Sequence, residues 1–88
     1  MATVIITPEA QQQLHGLPVV IQSRMEKLFS RLERWPNVSG AKPLSGNLAG
    51  HYRIRTGDYR LQFRVMRSTP SDLVIVEKVG HRDRFYED

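Results

Sequence analysis

Apolar and polar positions recur along this chain with two different periods, and the change of period divides it into two halves. Residues 2–6, Ala-Thr-Val-Ile-Ile, are apolar and mostly β-branched, the composition of a short strand. Thr7-Pro8 then supplies a hydroxyl able to cap a helix and a proline suited to the first helical position, so a helix is expected over about 8–16. Leu17-Pro18 interrupts it and starts a second helix. There Ile21, Met25, Leu28, Leu32 and Trp35 recur at spacings of four, three, four and three, one stripe of a 3.6-residue period that Pro36 ends. The opposite face, with Arg24, Glu26, Lys27, Arg31, Glu33 and Arg34, has the composition of a solvated surface. Gly, Pro, Ser and Asn cluster at 36–50 and read as the connection between the halves.

From residue 51 the period becomes two. His51-Tyr-Arg-Ile-Arg-Thr56 alternates, Gly57-Asp58 offers a two-residue turn with a glycine able to take positive φ, and Tyr59-Arg-Leu-Gln-Phe-Arg-Val65 alternates again. Ser68 to Asp72, with Pro70, makes the next turn. Leu73-Val-Ile-Val76 is a continuous apolar run that suits an interior strand buried on both faces, and this strand is expected to run to Val79 and end at Gly80. The expected fold class is α+β, a single domain over residues 1–88. It has a short N-terminal strand, two helices forming a hairpin and a three-stranded antiparallel meander, with the helices on one side of the sheet. A chain of 88 residues buries only about 60–65% of its unfolded surface, which leaves little room for an enclosed cavity. Any functional site should therefore be an open surface.

Register turns the alternation into a charge map. With Gly57-Asp58 as the loop, Thr56 pairs with Tyr59, Ile54 with Leu61 and Tyr52 with Phe63 on one face, the core side. The other face then holds Arg53 opposite Gln62 and Arg55 directly opposite Arg60, with Arg64 farther along. Like charges directly opposite are destabilising, by part of the roughly 0.2–1 kcal/mol range of such pairs, so this arrangement wants an anion. Arg53 and Arg55 stand roughly 6.6 Å apart, twice the rise of a strand, a spacing that spans neighbouring phosphates. Of thirteen basic residues ten are arginine, the cation that meets phosphate with a planar fork of donors. Residues 51–67 hold five of these arginines against Asp58 alone, so the formal net charge of +4 resides in the hairpin. A polyanion-binding face, most simply for nucleic acid, is the functional reading. The structural alternative is an exposed strand pair whose repulsion is relieved by Glu77 or other carboxylates.

The absence of cysteine excludes a disulfide framework, a thiolate metal site and a cysteine nucleophile, and fits a reducing compartment. The N-terminus carries no positive region before its brief apolar run, and no stretch approaches the ~20 apolar residues of a membrane span. A cytoplasmic protein without cofactor or metal is expected. At the C-terminus Gly80 is followed by His81-Arg82-Asp83-Arg84-Phe85-Tyr86, which places an imidazole, two guanidiniums and a phenol where the end of the sheet meets the arginine face. Arg82 and Tyr86 are four apart and would share one side of a helical turn. His15 and His51 read as structural.

In this order, Lys42-Pro-Leu-Ser-Gly46, His51-Tyr-Arg-Ile-Arg55, Gly57-Asp-Tyr-Arg-Leu61 and Val79-Gly-His-Arg82 followed by Tyr86 resemble the RelE branch of the RelE/ParE toxin superfamily over nearly the whole chain. The resemblance implies a RelE-like microbial RNase-type fold with a short C-terminal helical segment. It further implies a type II toxin that enters the ribosomal A site, cleaves the mRNA there and is silenced by a cognate antitoxin in a hetero-oligomeric complex. Carried over by residue, the family's basic strand pair falls on Arg53 and Arg55, its Tyr-Arg-Leu arginine on Arg60, and its terminal arginine and tyrosine on Arg82 and Tyr86. The 2′-hydroxyl would attack the adjacent phosphate. Arg60, Arg82 and Arg55 would neutralise the charge, Arg53, Gln62, Arg64 and Arg84 would hold RNA, and Tyr86 would stack on a base or orient the hydroxyl.

Some RelE-like members carry lysines where Arg53 and Arg55 stand. Arginine keeps its proton to pH above ~12, so these two side chains stabilise charge and do not shuttle protons. His81 then becomes the candidate general acid or base, with Tyr86 as the other. Two alternatives share the scaffold: a ParE-like toxin that blocks DNA gyrase by binding, and a non-catalytic RNA- or ribosome-binding module. The antitoxin would cover the arginine face with an acidic or apolar segment, or displace residues 80–88.

Overall fold

The computed structural model describes residues 2–83. Strand β1 (Thr3–Ile6) leads into helix α1 (Pro8–His15) and helix α2 (Val19–Leu32), and then come β2 (Lys42–Pro43), a 3-10 turn at Gly46–Leu48, β3 (His51–Thr56), β4 (Tyr59–Met66) and β5 (Leu73–His81). The strands form one mixed sheet in the order β1-β5-β4-β3-β2, with β1 parallel to β5 and the other neighbours antiparallel. The α+β architecture and the meander are as expected. Two strand pairings are additions to it: β1 joins the sheet beside the last strand rather than standing apart, and the connecting segment contributes the two-residue edge strand β2. The expected C-terminal helical segment lies outside the described residues.

Local chemistry accounts for the helix ends. The Thr7 hydroxyl accepts the Ala10 N–H at 3.1 Å and Pro8 occupies the first turn. Gly16-Leu17-Pro18 separates the helices, and α2 buries Ile21, Met25, Leu28, Phe29 and Leu32. Helix α2 stops at Leu32, so Trp35 lies beyond it in the following turn, where its ring stands edge-on to Tyr52 (centroids 4.7 Å) and Phe63 (5.5 Å). These rings join Ile54, Leu61, Val74, Val76 and Val79 under the helices in one core. The Gln13 side chain accepts the Val79 N–H at 3.0 Å and so ties α1 to β5.

The β3–β4 register is the expected one at every position, from Thr56 with Tyr59 to His51 with Arg64. Gly57 takes φ of +60° and no non-glycine residue among those described has positive φ, the pattern of a type II′ turn. Strand β5 departs from expectation three times. It continues through His81, and it carries an extra residue: Gln62 pairs with Lys78 but Phe63 pairs with Val76, which leaves Glu77 as a β-bulge. Only one side of its apolar run is wholly buried, at Val74 and Val76, whereas Leu73 and Ile75 are half-exposed on the face that no described helix covers.

Candidate nucleic-acid interface

Both helices pack on one face of the sheet, and the alternation of β3 and β4 decides what the other face shows. Ile54, Leu61 and Phe63 are buried beneath the helices, so Arg53, Arg55, Arg60, Gln62 and Arg64 share the outer face. They form three rows across the strand pair: Arg55 opposite Arg60, Arg53 opposite Gln62, and His51 opposite Arg64. Arg55 is exposed and the other members are half-buried.

Arg82 reaches the first row from β5. Its backbone N–H donates to the Asp58 carbonyl at 2.8 Å, which stitches the end of β5 to the β3–β4 turn. Its guanidinium lies 3.9 Å from the Asp58 carboxylate and 3.6 Å from that of Asp83, both exposed contacts of little stabilising value. The consequence appears at Arg60. Its guanidinium is held below the ordinary arginine value by partial loss of solvent and then by repulsion from Arg55, Arg53 and Arg82, with Asp58 opposing. Three guanidiniums therefore sit within electrostatic reach of Arg60 near the turn. Glu77, offered above as relief for the Arg55–Arg60 pair, stands elsewhere: one carboxylate oxygen is 3.1 Å from His51 Nε2 and the other 3.2 Å from Arg64 Nε, in the third row.

The three histidines are distributed differently from expectation. His81 pairs with Tyr59 and so projects to the helix side, away from the arginines, with its ring edge-on to Tyr59 at 5.1 Å. There it lines an open cavity with Gln12, Gln13, Leu17 and Pro18. The Asp83 N–H donates to His81 Nδ1 at 3.1 Å, which in the neutral ring places the proton on Nε2. His51, read from sequence as structural, is the histidine on the arginine face. The signal was present, since it shares the parity of Arg53 and Arg55. His15 is exposed near the end of α1, beside the Gln11 amide. Arg84 and Tyr86 lie outside the described residues. Among the described residues, no group of three or more His, Cys, Asp or Glu side chains is placed to hold a metal ion, and no helix is long and apolar enough to cross a membrane.

Residues 4–86 match the family model for the ParE toxin of the type II toxin–antitoxin system, parDE. The chain is 36% identical over 85 residues to the toxin RelG of Mycobacterium tuberculosis, covering 96% of this chain and 94% of that one. Its fold is similar to the crystal structure of the toxin–antitoxin complex RelBE2 from the same organism, with a TM-score of 0.76 at 36% identity over 91% of this chain and 96% of that chain. The isolated RelE toxin of E. coli shares the fold at 19% identity, with a TM-score of 0.71 over 89% of this chain and 81% of that chain. A sheet face that no described helix covers, with arginines paired across a hairpin, thus sits on a scaffold shared with RelE-like toxins, and the chain belongs to the ParE toxin family of type II toxin–antitoxin systems, within the RelE/ParE superfamily.

Proposed function

We propose that this toxin is a ribosome-dependent endoribonuclease that cleaves mRNA in the A site and so inhibits translation. The observation that carries the reading is the first row: Arg55 directly opposite Arg60 on a face that no described helix covers, with Arg53 and Arg82 close enough to perturb Arg60. Such a cluster is costly without an anion and well suited to a phosphate that gains negative charge during reaction. In the proposed step the 2′-oxygen bonds to the adjacent phosphorus and the bond from phosphorus to the 5′-oxygen breaks, which leaves a cyclic 2′,3′-phosphate and a 5′-hydroxyl. Arg60, Arg82 and Arg55 neutralise the pentavalent phosphorus centre, and Arg53 with Gln62 positions the backbone. The proton moves from the 2′-hydroxyl to the leaving 5′-oxygen. Arginines do not carry it, and His81, on the helix side, is given no part. Tyr86 keeps the role that the family resemblance implies, stacking on a base or orienting the hydroxyl.

Relatives from M. tuberculosis and Methanococcus jannaschii have been solved as toxin–antitoxin complexes. The partner proposed here is likewise a cognate antitoxin, which masks the arginine face in a hetero-oligomer. The test is to map cleavage of mRNA on programmed ribosomes. Cuts by the wild-type toxin that vanish in Arg60→Ala and Arg82→Ala are expected. The family description favours a second reading, gyrase inhibition of the ParE kind. An intact message together with blocked supercoiling by gyrase would establish it over the first.

A further inference from the structure

Resting on the nucleic-acid reading of the outer face, we propose that Glu77 ends the polyanion track, confining RNA phosphates to the two rows nearest the β3–β4 turn and to Arg82. In the third row a carboxylate lies within reach of both basic side chains. Each Glu77 carboxylate oxygen faces one nitrogen, His51 Nε2 at 3.1 Å and Arg64 Nε at 3.2 Å. The bulge is what puts it there. As the extra residue of β5, Glu77 leaves the core alternation, while Val76 and Val79 keep theirs, and its side chain extends over β4 to reach His51 on β3, two strands away. A phosphate advancing past Arg53 therefore meets a carboxylate, at a spacing of roughly one same-face step of 6.6 Å. Arg64 thus holds Glu77 rather than RNA, and Glu77 is a specificity-determining residue that fixes how many phosphates the face accepts.

The experiment measures affinity of the full chain for a fluorescein-labelled oligouridylate across a salt series, with elution from immobilised heparin as a second polyanion. Glu77→Gln preserves shape and removes the charge. It should bind about threefold or more tightly at ~50 mM salt, with a log–log salt slope steeper by about 0.7, the value for one added contact to single-stranded nucleic acid. Glu26→Gln, the same charge change on the exposed side of α2, should bind as wild type does, so that net charge alone is excluded. Arg64→Ala should change wild-type affinity less than twofold, but in the Glu77→Gln background it should abolish the gain. Unchanged affinity and slope in Glu77→Gln would overturn the proposal, as would an Arg64→Ala loss equal to that of Arg53→Ala. If wild type binds heparin but no RNA, the nucleic-acid reading fails by itself, and the same comparisons on heparin still decide whether Glu77 ends the track.

Discussion

On the proposed function, four guanidiniums of the outer face, those of Arg53, Arg55, Arg60 and Arg82, share one phosphate-binding area. Binding to single-stranded nucleic acid releases counterions, so the logarithm of affinity falls with that of salt at a slope of about 0.7 for each phosphate neutralised. Four contacts predict a slope near −2.8, an affinity loss of about 50-fold between ~50 and ~200 mM salt. Arg60→Ala should reduce the slope to about −2.1, and the loss over the same range to about 20-fold, because one contact is gone. Fluorescence anisotropy with a labelled oligouridylate at graded potassium chloride reads both numbers, and circular dichroism confirms that the variant is folded. A slope unchanged by Arg60→Ala would show that this guanidinium touches no phosphate. A wild-type slope shallower than about −1 would refute the assignment of the whole face.

Three further outcomes follow from the geometry. His81→Ala should leave the salt slope and the rate of ribosomal mRNA cleavage unchanged, since the imidazole projects to the helix side against Tyr59; a tenfold slower cut would return it to the reaction. Phe63→Ala should cost about 3–5 kcal/mol in urea unfolding, because a wholly buried ring in contact with Trp35 and Tyr52 is removed and its cavity remains. Gly57→Ala should cost about 1–2 kcal/mol through its φ of +60°; an added Cβ meets Arg24 only at an ordinary 3.6 Å, so a much larger loss would point to a clash that the turn does not contain.

The hairpin was legible because its turn and its alternation say the same thing twice. Gly57-Asp58 sets the pairing, and apolar residues at 54, 61 and 63 choose the buried face, so the opposed Arg55 and Arg60 follow. The end of β5 was less legible, for a physical reason. Glu77-Lys78 interrupts an apolar run with two consecutive polar residues, and the chain accommodates them by adding a residue on the outer side, which restores Val79 to the core and sends His81 after it to the helix side. Sequence alone puts His81 with the arginines because the cluster after Gly80 reads as a unit beyond the strand. His51 shares the parity of Arg53 and Arg55, so its place on the arginine face follows from the same alternation. The partnership of β1 with β5 rests on contacts between chain ends, and β2 on two residues that include a proline, so neither carries a periodic signal.

A sheet whose described helices lie on one side leaves a second face whose composition the helix-side core does not dictate. Here it is divided: Ile5, Leu73, Ile75 and Met66 share the outer face toward β1 and β5, and the arginines occupy the part nearest the β3–β4 turn. The catalytic consequence concerns protons. On the described part of that face the imidazole of His51 lies against Glu77 in the third row, while the first row holds guanidiniums alone. A reaction centred on the first row then has abundant charge to stabilise a phosphorane and no described side chain there that exchanges protons near neutrality. Its rate must depend on how well the 2′-hydroxyl, phosphorus and leaving oxygen are aligned, a contribution worth several orders of magnitude when the geometry is held. An open face of this size does not hold it unaided. On the proposed function, the ribosome supplies the alignment, and purified toxin should cut naked mRNA far more slowly than the same message in the A site.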